Sequence, residues 1–313
     1  MISVILPVLN GADTIKKSVE SVRNQTYTDF ELLIVDNGST DATQEICLKF
    51  EKQDGRIKLL HCAERGVVAG RKLGLEMAQG EYVAFIDADD SYVPEMLQKM
   101  LEAAERYDAD ITSCGYINVY PDGRKDSSFP VTVGVVSTDR FFNCLFEGGT
   151  LGFLWNKFYR KAVLEECVQP ENMAVCEDTF MNCSLMRSER KIVILKECLY
   201  RYYVNPTSVT HTLAKKVDDN GDWKYLVSYR KIRELFPDDS EKANRIEKAE
   251  WWVIKLGVEE LDGVGTQGQS AQKKLLLEMK QALKAVLRSD EGLKFKISFL
   301  KCYLMHCLKV RET

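Results

Sequence analysis

The sequence predicts an α/β fold in which a mostly parallel central sheet carries helices on both faces, followed by a helical C-terminal region. Apolar runs of strand length alternate with segments whose apolar residues recur at helical spacing, and polar residues follow the apolar runs directly. From residue 213 onward the pattern is helical. We therefore expect two domains, 1–212 and 213–313.

The elements of the first domain follow in a regular order. They are strand 2–10, helix 12–24, strand 31–35, strand 57–60, helix 67–78, strand 82–86 and helix 94–107. Polar residues 36–41 end the second strand, and Ser39 or Thr40 is expected to cap the helix that follows. Ligands of parallel sheets bind beyond the carboxyl ends of the strands, where Asp36 and Asp87 both fall.

An acidic cluster follows the strand 82–86 abruptly, at Asp87, Asp89 and Asp90. Crowded carboxylates repel each other, and a hard cation such as Mg²⁺ or Mn²⁺ relieves that repulsion while leaving positions open for substrate phosphates. The cluster therefore predicts a metal site for a nucleotide diphosphate. The structural alternative is an acidic turn that caps the helix beginning near Pro94.

Two familiar nucleotide-binding motifs are missing from the sequence. The first turn, residues 7–11, contains one glycine and no G-x-G-x-x-G, and no G-x-x-x-x-G-K-[ST] occurs. The sequence therefore disfavours a dinucleotide dehydrogenase and a P-loop NTPase. We expect a metal ion to hold the phosphates instead.

Several segments together resemble the family 2 glycosyltransferases of bacterial surface-polysaccharide pathways. They are residues 4–10, 35–41, 80–90, 154–159, 177–178 and 202–210. The resemblance implies a glycosyltransferase A-type, Rossmann-like fold over about residues 1–211. It also implies a UDP-sugar donor, a divalent metal, and an inverting single displacement onto a glycan or lipid-linked acceptor.

The resemblance assigns one set of residues to the nucleotide. The set is Pro7, Val8, Asn10, Asp36, Asn37, Arg71 and Asp87. Asn37 stands where the family more often has aspartate, but its carbonyl can still accept a hydrogen bond from a uracil N–H. Arg71 fits a nucleotide-side role, and the alternative is a solvated residue on an amphipathic helix.

A second set of residues is implied for metal and catalysis. Asp89 would be the principal ligand of Mn²⁺ or Mg²⁺, with Asp87 on the ribose or the metal, Asp90 in support and His211 returning to the metal. Asp178 matches the general-base position, and Trp155 and Glu177 are assigned to the acceptor or sugar. Residues 177–178 could equally be the acidic first turn of a helix.

Composition and charge suggest the setting. No apolar run approaches the ~18 residues of a membrane span, and no C-x-x-C occurs among the ten cysteines, so we expect a reduced, cytoplasmic enzyme without zinc or nucleic acid. Residues 273–313 hold ten Lys/Arg against four Asp/Glu. Residues 293–310 therefore predict a basic amphipathic helix that contacts an anionic membrane surface, or else packs on the catalytic domain or on a second subunit.

Tryptophans and tyrosines in the helical region, among them Trp223, Trp251 and Trp252, are expected to pack in its core. The function predicted is an inverting, metal-dependent glycosyltransferase at the cytoplasmic face of the membrane, in cell-surface polysaccharide synthesis. A nucleotidyltransferase is the enzymatic alternative, but residues 7–11 lack the glycine- and lysine/arginine-rich turn that it needs. A non-catalytic glycan-binding scaffold is the other, and the presence of Asp87, Asp89 and Asp178 disfavours it.

Overall fold

The computed structural model describes residues 1–147, 151–171, 173, 175–205, 216–218, 220–262 and 266–311. By internal packing the chain divides into two compact units. The first comprises Met1–Glu171 and Met181–Asn205, and the second comprises Asn172–Phe180 and Pro206–Thr313. The boundary predicted at residue 212 lies outside the described residues.

The first unit is built around one mixed sheet. Its strands are β1 (Ile2–Val8), β2 (Phe30–Asp36), β3 (Ile57–His61), β4 (Tyr82–Phe85), β5 (Ser91–Tyr92), β6 (Ile111–Val119), β7 (Lys125–Ser128), β8 (Gly134–Val136), β9 (Lys157–Arg160) and β10 (Ile192–Tyr203). The helices are α1 (Ile15–Arg23), α2 (Thr43–Gln53), α3 (Val67–Met77), α4 (Met96–Arg106), α5 (Thr138–Cys144), α6 (Lys161–Leu164) and α7 (Glu177–Leu185), whose first turn belongs to the second unit.

The sheet order is β3-β2-β1-β4-β9-β6-β10-β5, with β7 beside β6 and β8 beside β10. The half from β3 to β4 is parallel throughout, as predicted. The other half is mixed, because β9 runs antiparallel to both β4 and β6 while β10 is parallel to β6. The α/β fold with helices against the sheet is therefore confirmed.

Each element predicted between residues 2 and 107 is present, within a few residues at its ends. The predicted cap of α2 is wrong. The helix begins at Thr43, whose backbone N–H donates to Asp41 Oδ1 at 3.0 Å. Ser39 instead uses its hydroxyl to accept from the backbone of Asn10.

Alternate residues of β1 face opposite sides of the sheet, and both sides are buried. Ile2, Val4 and Leu6 belong to the core cluster that also holds residues of α1, α2 and α4. On the other side α3 approaches so closely that a Cβ built on Gly74 would lie 2.4 Å from Ile5 Cγ2. Glycine therefore sets the distance between α3 and the strand that leads to the predicted site.

The second unit is helical. It contains α8 (Lys224–Glu234), α9 (Ser240–Glu260), α10 (Thr266–Arg288) and α11 (Leu293–Arg311). Trp223 and Trp251 are buried in its core, as predicted, whereas Trp252 is 51% exposed. Across the described part of the chain, no helix combines the length and apolarity needed to cross a bilayer.

Candidate functional site

Polar segments follow three neighbouring strands at one edge of the sheet. β1 lies between β2 and β4, and both pairs are parallel. Because Val8 pairs with Asp36 and Ile5 pairs with Phe85, the segments after these strands leave the sheet side by side. A cavity of about 350 Å³ lies here. Its lining is Pro7, Val8, Leu9, Asn10, Gly11, Asp13, Thr14, Ala88, Asp89 and Asn205.

This cavity brings together residues predicted for two different roles. Pro7, Val8 and Asn10 were assigned to the nucleotide and Asp89 to the metal, and all four line it. They come from chain segments about eighty residues apart, which the β1–β4 pairing joins. A single ligand with a nucleoside at one end and phosphates at the other could contact both groups.

The turn after β1 is fastened to the loop after β2. Asn10 adopts a left-handed backbone with φ of 53°, a region that asparagine tolerates better than most residues. Its Oδ1 accepts from the Thr40 backbone N–H at 2.8 Å, and its own backbone N–H donates to Ser39 Oγ at 2.9 Å. Gly11 N–H donates to Thr43 Oγ1 at 2.8 Å. The cavity wall is thereby fixed before any ligand arrives.

Asp36 ends β2 and is only 3% exposed. Its Oδ1 accepts from the Ser39 backbone N–H at 3.0 Å, and His61 Nδ1 lies 3.9 Å from its Oδ2. This carboxylate therefore holds its own loop in shape. Contact between Asp36 and a base remains a prediction.

Asn37 has a structural use that its amide group alone permits. Its Nδ2 donates to the carbonyl oxygens of Glu64 at 3.2 Å and Gly66 at 3.1 Å, so it holds the loop that precedes α3. A Cβ built on Gly70 would lie 2.5 Å from Asn37 Oδ1, so α3 packs directly on this amide. Aspartate could not donate these hydrogen bonds, which gives the departure from the commoner family residue a physical reason.

The three acidic residues after β4 lie in three different environments. Asp89 is exposed and lines the cavity, whereas Asp90 is fully buried. Asp87 is partly exposed, and its Oδ1 lies 3.4 Å from Nη2 of the buried Arg71. Arg71 is therefore a buried cation beside Asp87, and the alternative of a solvated helix residue is wrong. Its contact with a nucleotide stays a prediction.

Asp90 anchors the acidic segment to β10. Its Oδ2 accepts from the Tyr200 hydroxyl and its Oδ1 from the Tyr203 backbone N–H, each at 2.8 Å. The Tyr200 hydroxyl also accepts from the Asp87 backbone N–H at 3.2 Å. Burial raises the pKa of Asp90, and the charges of Asp87 and Asp89 raise it further. Sequence reasoning missed Tyr200, although it shares a strand face with the noted Tyr202.

A second anchor comes from α1. Lys17 Nζ donates to the carbonyl oxygen of Asp89 at 2.8 Å and lies 3.1 Å from the ring centroid of Tyr203. Ser18 Oγ donates to the carbonyl of Asp90 at 2.7 Å. Partial burial lowers the pKa of Lys17. Nothing in the local sequence pattern of α1 indicated this role, because Lys17 is an ordinary polar residue of an amphipathic helix.

The residues present fit a divalent cation shared with a substrate. Mg²⁺ is often held by one or two carboxylates together with phosphate oxygens. Asp87 is partly exposed and Asp89 is exposed, while both oxygens of Asp90 are engaged with β10. Among the described residues, no three His, Cys, Asp or Glu side chains converge on a closed metal site. His211, the remaining predicted ligand, lies outside the described residues.

The residues predicted for acceptor and catalysis lie elsewhere. Trp155 is 2% exposed, and its ring stacks on Tyr200 at 4.2 Å and on Phe153 at 4.6 Å between centroids. It therefore packs behind the Asp90 anchor, and its contact with sugar remains a prediction. Glu177 and Asp178 form the first turn of α7, are half-buried and belong to the second unit.

Comparison with known proteins gives a family match. Residues 3–168 match the model described as glycosyl transferase family 2. The putative glycosyltransferase EpsH of Bacillus subtilis is 32% identical over 226 residues, covering 70% of this chain and 65% of that protein. The putative teichuronic acid biosynthesis glycosyltransferase TuaG of the same organism is 30% identical over 237 residues, covering 75% and 89%. The matched stretch thus spans about two thirds of EpsH.

Solved structures share the fold. S. aureus TarS 1–349 in complex with UDP-GlcNAc superposes with a TM-score of 0.70 at 20% identity, covering 91% of this chain and 83% of that one. The mannosyltransferase PcManGT from Pyrobaculum calidifontis, in complex with GDP-Man and Mn²⁺, gives 0.57 at 16% identity, covering 98% and 86%.

Proposed function

This chain belongs to glycosyl transferase family 2, and from that premise we propose that it moves one sugar from a UDP-sugar to a glycan or lipid-linked acceptor with inversion at the anomeric carbon. One observation carries the proposal. Residues assigned to the nucleotide, and Asp89, which is assigned to the metal, line a single cavity at the carboxyl ends of parallel strands, where ligands of such sheets bind.

The donor would lie with its nucleoside along residues 7–10 and its diphosphate toward Asp89. UDP is favoured over other nucleotides because TarS, which shares the fold, forms complexes with UDP and UDP-GlcNAc, while PcManGT carries GDP-Man on the same fold. Asp36 and Asn37 are the proposed base contacts. Asp36 is already fixed by a hydrogen bond within its own loop, and Asn37 by hydrogen bonds to the loop before α3, so a base would meet a wall that does not need to reorganise.

Asp87 and Asp89 would hold Mn²⁺ or Mg²⁺. When bound, the metal supplies positive charge that stabilises the departing diphosphate. Arg71 sets the position of Asp87, and Lys17 sets the backbone of Asp89. Asp90, through Tyr200, keeps the whole segment against β10.

Transfer requires an acceptor oxygen to attack the anomeric carbon as the bond from that carbon to the diphosphate breaks. The electron pair of the broken bond leaves with UDP, and the hydroxyl proton passes to a carboxylate. Asp178 is the proposed general base, and Glu177 is the next candidate. A helix N-terminus gives either side chain a rigid mount.

The proposed setting is the cytoplasmic face of the membrane, in synthesis of a cell-surface polysaccharide. The relative TuaG is named for teichuronic acid biosynthesis. A donor panel tests the proposal. UDP-glucose, UDP-galactose and their N-acetyl forms, with GDP-mannose for comparison, are incubated with Mn²⁺ and scored for release of the nucleoside diphosphate. Release from a UDP-sugar supports the assignment. Binding and release restricted to GDP-mannose would overturn the UDP assignment but leave the enzyme class intact.

A further inference from the structure

Helix α11 has two apolar faces, and only one is used inside the protein. Phe295, Phe299, Cys302 and His306 are buried on the side that packs into the core of the second unit. Packing within the second unit was not among the contacts predicted for this tail. It accounts for only one side of the helix.

The other face is exposed. Leu293, Ile297, Leu304 and Met305 are between 46% and 72% exposed. At 3.6 residues per turn they fall within an arc of about 120°. Lys294 and Lys301 are exposed within the same arc. On this outer face of α11, Leu293, Leu304 and Ile297 lie along one side and Met305 along the other, with Lys301 and Lys294 between them.

Helix α9 also carries exposed apolar side chains. The ring of Trp252 stacks on Phe295 with 4.2 Å between centroids while half of its surface stays exposed. Leu256, one turn further along α9, is also 51% exposed. A half-exposed tryptophan together with exposed leucines and lysines is typical of a protein surface that enters the headgroup region of a bilayer.

Charge decides which partner fits. Helix α10 adds exposed basic residues, namely Lys273, Lys280, Lys284 and Arg288. Residues 273–313 as a whole hold ten Lys/Arg against four Asp/Glu. Two copies placed face to face would bring like charges together, whereas an anionic lipid surface complements them. We propose that the outer face of α11, with Trp252 and Leu256, docks on an anionic lipid bilayer.

Docking of this kind extends the proposed function, since a lipid-linked acceptor would be presented at the same surface. The test is co-sedimentation of the full chain with vesicles of phosphatidylcholine containing about 30% phosphatidylglycerol, compared with vesicles of phosphatidylcholine alone. We expect binding to the anionic vesicles that weakens as salt screens the lysines. Ile297→Glu/Leu304→Glu should lower the partition coefficient at least about tenfold, because it places negative charge among the exposed apolar side chains of this face.

Leu48→Glu/Met77→Glu is the matched control. It makes equal changes in size and charge at exposed apolar positions on α2 and α3 of the first unit, and it should bind vesicles like the wild type. Circular dichroism and thermal melting are used to check that both double variants fold. Wild-type protein that ignores anionic vesicles at low salt would overturn the proposal, as would equal loss in both double variants.

A second copy is the competing occupant, and light scattering after gel filtration detects it. If the wild type is a dimer and Ile297→Glu/Leu304→Glu is a monomer, the outer face of α11 binds a second copy, and lipid docking is rejected. UDP binding measured by calorimetry without vesicles reports on the first unit separately. Retained UDP binding with no lipid binding would therefore reject docking alone, and lipid binding without UDP binding would reject the proposed function alone.

Discussion

Buried acidic groups are treated differently in the two units. At the sheet edge of the first unit, both oxygens of Asp90 accept hydrogen bonds from β10. In the second unit Glu250 on α9 is also buried, with Oε2 at 3.3 Å from Arg233, but its Oε1 has no hydrogen-bond partner within the described residues. The second unit also leaves Trp252 and Ile297 exposed. The first unit thus holds its acidic segment in one arrangement by hydrogen bonds, while the second unit, in its described part, leaves a polar atom unbonded and apolar side chains exposed.

Removing the carboxylate of Asp89 should have the largest effect on transfer activity. It tests whether the fixed geometry at the sheet edge holds a metal and a donor. We expect Asp89→Ala to lower transfer at least about a thousandfold, since metal charge stabilisation is worth several kcal/mol. Mn²⁺-dependent UDP binding by calorimetry should weaken in parallel. Asp13→Ala removes another exposed carboxylate that lines the cavity, and it should change transfer by less than about threefold. Full wild-type activity in excess chelator would contradict the metal assignment.

Asp178 tests whether chemistry and donor binding are carried by different parts of the chain. Asp178→Asn preserves shape but removes the base, so turnover should fall at least about a hundredfold. Donor affinity by calorimetry should change by less than about threefold, under ~0.7 kcal/mol.

Glu177→Gln is the neighbouring comparison for that experiment. If it, and not Asp178→Asn, removes turnover, Glu177 is the base. If Asp178→Asn instead loses donor affinity, the residue belongs to the nucleotide site.

The Tyr200 hydroxyl tests whether the anchored geometry matters for function. Tyr200→Phe removes the group that joins Asp90 to the Asp87 backbone and leaves a buried carboxylate oxygen without its donor. We expect a loss of about 1–3 kcal/mol in the free energy of unfolding. Groups that orient a metal ligand are worth ~10–100-fold in metal affinity, so the Kd for Mn²⁺ with UDP should rise about tenfold and the donor KM should rise more than kcat falls.

Tyr82→Phe serves as the control for Tyr200. Tyr82 is also a buried tyrosine, but it lies at the start of β4, at the end away from the acidic segment. It should leave the Kd for Mn²⁺ with UDP within about twofold. Equal effects of the two substitutions would mean that Tyr200 acts only through general stability.

Glu250 gives the smallest expected effect and tests the second unit. Burial raises its pKa to about 7, with Arg233 acting in the opposite direction. The unfolded chain therefore ionises this group at lower pH than the folded chain. Its contribution to stability is fully present below about pH 4.5 and is lost as pH rises through 7. Glu250→Gln should remove on the order of 1–2 kcal/mol of this pH dependence between pH 5 and 8.

Tryptophan fluorescence can follow that change in the second unit alone. Trp223, Trp251 and Trp252 lie there, and Trp155 is the remaining tryptophan. Unfolding in a Trp155→Phe background thus reports on the helices. Glu234→Gln, at an exposed position of α8, should leave the pH dependence unchanged. Identical pH profiles for Glu250→Gln and its parent would remove Glu250 as the cause.

Local patterns were sufficient to predict the sheet edge. The strands, the acidic segment and the turn after β1 each lie within about ten residues of sequence, where periodicity and strand-end chemistry can be recognised. The placement of Asp36 and Asp87 at the carboxyl ends of their strands also followed from the sequence, because the alternation of strands and helices predicts parallel strands. The nucleotide and metal roles of these residues remain predictions.

Long-range partners could not be predicted in the same way. Tyr200 and Lys17 contact the acidic segment only because β10 and α1 pack beside it, and neither local sequence differs from an ordinary strand or helix. The antiparallel insertion of β9 likewise depends on sheet topology. Trp252 looked like a core residue because its size favours burial, but the helix phase places it outward next to the buried Trp251.

The hydrogen bond between Asp90 and Tyr200 joins residues 110 positions apart, and this separation sets an order of events during folding. Contacts between distant residues form only after the entropy of closing the intervening chain has been overcome. The acidic motif is synthesised early, but its anchor arrives with β10. A chain that ends before β10 would contain the whole motif and yet bind Mn²⁺ and UDP weakly, which calorimetry on a refolded fragment of residues 1–190 would measure. We therefore expect donor binding to require the completed sheet, with β10 in place.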